Sequence, residues 1–235
     1  MTPNRAAPHV LLALLSLLGL GALLFSLYIA PPIAGQQLSM AAANTAEASS
    51  FVLTDTETAA PLKGTSAGTG VTEEQAVIVY RSPDAVQETV TEGGHTVSVL
   101  VVGSSRFERE GNGKWYDLGA PAAVPGGASV GSLAAQAVLF PWQSLSSATD
   151  VTTSHGVYDF VPGQRTLLLS RLLGPTAGTS SFAATVGNEF VRTEDLLVRS
   201  SEGQITVALA LSRVDRGPRL SSPRESQLTT TPPAS

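Results

Sequence analysis

Apolar positions are spread along this chain in three ways, and each predicts a different kind of element. From Val10 to Ala30 they form one block without a charge. As a helix rising about 1.5 Å per residue, this block is roughly 30 Å long, the thickness of a bilayer's hydrocarbon core. From Gln36 to Ser50 the chain is Ala-rich and free of Pro and Gly, and Leu38, Ala41, Ala42 and Thr45 share one face of a short helix or stalk. Beyond Ser50 the period drops to two, which predicts strands.

The strand-forming runs are Ser50 to Glu57, Glu74 to Arg81, Ala85 to Thr91, His95 to Val102, Arg106 to Arg109 and Lys114 to Leu118. Between them lie the loop Pro61 to Gly70, Ser82-Pro83-Asp84, Gly93-Gly94, Gly103 and Gly111-Asn112-Gly113, punctuation that predicts an antiparallel meander. In the run from His95, Val97, Val99 and Val101 alternate with Thr96, Ser98 and Leu100, so one face is apolar. A Pro/Gly linker, Ala120 to Gly127, then leads into Ser129 to Phe140, a helix with Leu133, Ala137 and Phe140 on one face, which Pro141 is expected to stop.

Strands resume from Asp150 to Val161 and, after an irregular Leu-rich stretch, from Ser180 to Val186, Glu189 to Arg199 and Gln204 to Val214. The last holds the cleanest alternation in the chain, Ile205, Val207, Leu209 and Leu211 against Thr206, Ala208, Ala210 and Ser212. From Arg216 to Ser235 the chain is polar, Pro-rich and without apolar period, so disorder is expected.

Charge orients the first block. Arg5 precedes it and no Lys or Arg follows until Lys63, so residues 1–9 are expected in the cytoplasm, 10–30 in the membrane, and the rest outside. The stalk then spans residues 31–46, the folded domain 47–215 and the tail 216–235. A cleaved signal peptide is the alternative for the first block. Its apolar core is usually about 7 to 15 residues long, and here Tyr28 or Ile33 would occupy a position near the cut that small residues prefer. Both readings export the remainder. The chain has no Cys, which excludes a lipobox anchor, thiolate metal sites and disulfides. A net charge of -5 without clustered Lys or Arg speaks against nucleic acid as a partner.

Chemistry-bearing patterns are sparse. Gly64-Thr65-Ser66-Ala67-Gly68 matches G-x-S-x-G, but a strand follows it where a nucleophile elbow needs a helix. His9, His95 and His155 have no metal-ligand spacing; His95 reads as flanking a hairpin turn and His155 as lying on a strand face. Glu73-Glu74 and Glu194-Asp195 are adjacent pairs, whose members point to opposite faces of a strand, and they read as solvated edges. Gly126-Gly127 lacks phosphate-loop neighbours, and Trp115 and Trp142 read as core more readily than as a ligand platform. No catalytic residue, metal site or cofactor is expected.

Several short segments carry a resemblance. These are Ala48-Ser49-Ser50-Phe51-Val52-Leu53 entering the first strand, Gly68-Thr69-Gly70, Ser82-Pro83-Asp84, and Val102-Gly103 through Phe107-Glu108 to Lys114-Trp115-Tyr116. In these, and in its order of helix, strand meander, covering helix and further strands, the chain from Glu47 to Val214 resembles the LolA/LppX/LprG lipid carriers of bacteria. The resemblance implies a half-open barrel whose apolar face holds acyl chains beneath a helix. The chain departs from the LppX/LprG pattern in lacking the lipid-modified Cys, and a spanning helix takes its place.

The expected fold is therefore α+β, a curved antiparallel half-barrel sheet with a covering helix, preceded by one transmembrane helix. The expected function is binding of a lipid or other apolar ligand, for carriage or sensing, by a membrane-anchored extracytoplasmic domain. Candidate lining residues are Val97, Val99, Val101, Leu133, Ala137, Phe140, Ile205, Val207, Leu209 and Leu211. With only 6% aromatic residues, such a face leaves space that Phe and Trp would fill. The alternative is a sensor or scaffold that binds an envelope protein along an exposed edge strand.

Overall fold

The computed structural model describes residues 33–61, 72–120, 128–161, 179–199 and 203–232. The block Val10 to Ala30, the residues before it, the Gly64 to Gly68 loop and the Leu-rich stretch after Val161 lie outside the described residues. Among the described residues no helix is long and apolar enough to cross a membrane. The chain divides into Met1–Ile33 and Ala34–Ser235, and the architecture below is that of the second unit.

The fold is α+β, two helices on a large, open, curved sheet. Helix α1 is Ala34–Glu47. Strands β1 (Ser50–Pro61), β2 (Thr72–Arg81), β3 (Ala85–Glu92), β4 (His95–Val102), β5 (Ser105–Glu110) and β6 (Trp115–Asp117) follow as a meander. Helix α2 is Val130–Ser146. Strands β7 (Thr149–Ser154), β8 (Val157–Val161), β9 (Thr179–Gly187), β10 (Phe190–Arg199) and β11 (Gly203–Ser212) form a second meander, and a 3-10 turn, Glu225–Gln227, precedes β12 (Leu228–Thr229). The strand order is β12-β6-β5-β4-β3-β2-β1-β11-β10-β9-β8-β7. The first and last strands of the two meanders, β1 and β11, join them antiparallel, with Leu53 opposite Leu211 and Asp55 opposite Leu209.

The tight hairpins explain the shortest connections. Gly93-Gly94, His155-Gly156 and Asn188-Glu189 each place two residues at positive φ between paired strands, the geometry that matches strand twist in a two-residue turn. His155 therefore sits in a turn with φ 52°, where the sequence suggested a strand face, and the run Asp150 to Val161 is two strands.

Parity then sorts the sheet into two faces. Phe51 and Leu53, Tyr80 and Ile78, Val86, Leu211 and Val207, Leu196, Phe182 and Phe160 share one face, which both helices cover. Trp142 and Leu145 of α2 and Leu38 of α1 are fully buried there, and the Phe51 ring lies tilted against Tyr80, with centroids 4.9 Å apart, and edge-to-face with Trp142 at 6.4 Å.

Three elements differ from their sequence expectation. Helix α1 is not a free stalk: Leu38, Ala41, Ala42 and Thr45 are buried, Thr45 Oγ1 accepts from Val191 N at 3.0 Å, and Tyr158 donates to Gln37 at 2.7 Å. Helix α2 runs through Pro141 to Ser146. A proline inside a helix costs about 3 kcal/mol, and burying Trp142 and Leu145 immediately beyond it, at roughly 1.5 to 3 kcal/mol for each large side chain, offsets that cost.

The described part of the segment after Arg216 packs on the sheet, because the outer face of the sheet has an apolar patch of its own. Leu100, Phe107 and Trp115 cluster there, and Leu220 and Leu228 pack on them while β12 pairs parallel with β6. Ser50 and Asp215 start this strap: Asp215 N donates to Ser50 O at 2.7 Å, and Ser49 N and Oγ donate to Asp215 Oδ1 at 2.7 and 2.8 Å.

Candidate functional site

Helix α2 is fastened to the rest of the domain near both of its ends. At its start Gly131 N donates to Gly103 O at 2.8 Å, and a Cβ at Gly131 would run into the Asp84 carbonyl. Toward its end Trp142 and Leu145 seal against the core. Between these anchors a cavity of about 380 Å³ separates the helix from the sheet. Its floor is Leu53 and Asp55 of β1, Ile78 of β2, Val86 and Glu88 of β3, Glu194 and Leu196 of β10, and Val207 and Leu209 of β11; its roof is Ala134, Ala137, Val138, Phe140 and Pro141.

The roof is a helical stripe at i, i+3, i+4 and i+7, Ala134, Ala137, Val138 and Pro141, adjacent to the stripe Ala135, Trp142 and Leu145 that fastens the helix. The small side chains of the first stripe, beside the bulky Trp142 and Leu145 of the second, leave the space open. Pro141 also supplies no N–H to the Ala137 carbonyl four residues earlier.

Of the candidates read from the sequence, Ala137, Phe140, Val207 and Leu209 line this cavity. Val97, Val99 and Val101 lie on the same face but farther out, on β4: Val101 is buried beside Val86, whereas Val97 is 37% exposed beyond the roof. Leu133 is 44% exposed, because the helix is rotated by its Trp142 stripe. Leu211 is buried opposite Leu53 and Ile205 packs on the core; neither lines the cavity. Period-two reading therefore identified the covered face of β4 and β11, but which part of that face is roofed depends on where α2 lies. Trp142 is core, and Trp115 is buried on the outer face with the Arg109 guanidinium 4.4 Å above its ring.

The cavity's polar groups are carboxyls. Glu194, read from the sequence as part of a solvated edge, is 5% exposed, while its neighbour Asp195 faces outward. Parity explains this, since Glu194 is in phase with Leu196 and opposite Leu209, which is itself opposite Asp55. Glu194 Oε2 and Asp55 Oδ1 are buried without a hydrogen-bond partner. An orphaned buried polar group costs roughly 1 to 3 kcal/mol. Burial pushes the Glu194 carboxyl from 4.5 up to about 8, with the Asp195 charge adding to the rise. Asp55 rises from 3.8 to about 6, through burial first and then the charges of Glu57, Glu74 and Glu88. The signal was present in the sequence: Asp55, Glu88 and Glu194 are acidic residues in phase with apolar neighbours on their strands.

Chemically, this arrangement can hold an apolar molecule and offer it an acidic contact. Among the described residues no three His, Asp or Glu stand close enough together to hold a metal ion.

No family model matches the chain, and no curated protein matches it. Among solved structures, LprF from Mycobacterium bovis is similar at 12% identity, over 83% of this chain and 97% of that chain, with a TM-score of 0.43. A DUF1329 family protein from Desulfovibrio piger ATCC 29098 is similar at 8% identity, over 80% of this chain and 94% of that chain, with a TM-score of 0.32.

Proposed function

We propose that this chain is a membrane-anchored, extracytoplasmic binding protein that holds one lipid or other apolar molecule between α2 and a half-barrel sheet. The single observation that carries the reading is the 380 Å³ cavity, whose walls are mostly Leu, Ile, Val, Ala and Phe. Small-molecule sites span about 300 to 1,000 Å³, and each methylene buried in such walls contributes about 0.8 kcal/mol to binding. The resemblance of the sequence to the LolA/LppX/LprG carriers supports the same reading. In this proposal Val10 to Ala30 spans the membrane with residues 1–9 in the cytoplasm, and the domain acts by sequestration, without covalent chemistry. Tethering restricts carriage to the reach of the chain between anchor and domain.

The test is mass spectrometry of an organic extract from the full chain purified in mild detergent. About one apolar molecule per chain is expected. A delipidated protein that neither carries nor takes up a fluorescent fatty alcohol or phospholipid overturns the proposal. Filling the cavity from its floor checks the location: Leu209→Trp is expected to lower uptake at least about tenfold while the fold is kept, because the added ring occupies space that an acyl chain needs.

A further inference from the structure

An apolar cavity for an acyl chain alone has no use for ionisable groups, yet this one has three. Glu194 is nearly fully buried with an unpartnered oxygen, Asp55 has a second unpartnered oxygen, and Glu88 completes the lining, with no Lys, Arg or His beside them. The surroundings do not correct this imbalance. Strands β9 and β11 and helix α2 contain no charged residue or His, and α1 contributes only Glu47. On β10, Asp195 faces outward and Arg192 donates from Nε to Gly187 O at 2.9 Å. The covered face of β1 to β3 carries Asp55, Glu57, Glu74, Glu88 and Glu92 against no Lys or Arg, and the cationic or titratable groups farther along that face, His95 opposite Glu92 and Arg106 opposite Val101, lie outside the cavity lining. Unpaired buried carboxyls are acceptors awaiting a donor, and a negative field in apolar walls repels a carboxylate or phosphate and favours a cation.

Resting on the binding function proposed above, we propose that the cavity selects an amphiphile whose polar group is a protonated amine, held at Glu194 within the field of Asp55 and Glu88. The aliphatic part lies along Leu53, Ile78, Val207 and Leu209, and the ammonium donates to the orphaned carboxyl oxygens. Because burial keeps the empty site's Glu194 protonated up to about pH 8, binding of an ammonium releases that proton to solvent and leaves an ion pair. Amine affinity therefore rises with pH toward about 8. A neutral ligand that accepts a hydrogen bond from the Glu194 carboxyl shows the opposite trend.

The experiment is titration calorimetry on the delipidated full chain in amphipol with three probes of equal length: octylamine, octanol and octanoate. Octylamine is expected to bind at least about tenfold more tightly than octanoate, with affinity increasing about tenfold from pH 7 to 8.5 and close to one proton released at pH 7 in buffers of differing ionisation enthalpy. Glu194→Gln and, separately, Asp55→Asn are expected to reduce the amine-to-acid ratio, with near-ultraviolet circular dichroism reporting the fold of each. The wild-type ratio and its pH trend need no variant. Octanol binding with octanoate equal to or tighter than octylamine, or octylamine affinity falling between pH 7 and 8.5, overturns the amine proposal alone. Failure of octanol to bind overturns the cavity reading and this proposal together.

Discussion

Glu194 sets the pH behaviour expected of single residues in this protein. The folded state holds its proton up to about pH 8, whereas an unfolded chain releases it near 4.5. A group whose pKa is raised by folding gives its full stabilisation below the unfolded value and loses it as pH rises through the folded one. Stability is therefore expected to fall between about pH 4.5 and 8, and Glu194→Gln, which cannot ionise, should remove the Glu194 part of that decline and leave the smaller part due to Asp55, which is complete by about pH 6. Thermal melts at pH 5 and 8.5 check this: the variant should match wild type at the lower pH and exceed it by a few kcal/mol at the higher. Equal melting temperatures at pH 8.5 would mean that the carboxyl is not buried. Glu194 was legible in the sequence as an acidic residue in step with Leu196, and Asp55 likewise with Leu53. What no local pattern contained was the identity of the strand on either side, which decides whether such a residue is roofed or wet.

At the scale of elements, α2 depends on how its first turn is seated. Gly131 fits because it has no side chain where the Asp84 carbonyl passes, and its N–H is bound to Gly103 O. Gly131→Ala should therefore displace the start of the helix, lower stability by about 1 to 3 kcal/mol and widen the cavity, read as a lower melting temperature with faster ligand release. The C-terminal strap is a second such element. A chain ending at Arg216 should leave Leu100, Phe107 and Trp115 open to water, giving a red shift in Trp115 emission and a lower melting temperature, best read in a Trp142→Phe background. The polar, Pro-rich composition of this strap predicted disorder, and its two anchoring apolar residues, Leu220 and Leu228, lie too far apart to register as a period. Pro141 misled for a related reason, since a propensity rule weighs one residue against water and the burial of Trp142 weighs it against a core.

For the whole molecule, the two meanders form a single open sheet through the β1–β11 pair, and the cavity lies over that seam with residues from both halves. A ligand bound there ties the meanders together and favours the folded state. At one hundred times its dissociation constant it should stabilise the protein by about 2.7 kcal/mol. Differential scanning calorimetry with octanol checks this, and an unchanged melting temperature at saturating concentrations would place the ligand elsewhere.

The sequence by itself determined the local matters: the buried stripe of α1, most strand bodies, the Gly-rich hairpin turns, and the apolar parity of β4 and β11. These follow from steric and hydrophobic preferences that act within a few residues, and a period of two or 3.6 records them directly. Only the tertiary structure decided that β1 pairs with β11 across more than 140 residues, that α2 is held over the sheet on two anchors, and that the strap packs on the apolar patch of the outer face. Those outcomes depend on which surfaces meet after the chain has closed long loops, and surface complementarity of that kind leaves no periodic trace in the order of residues.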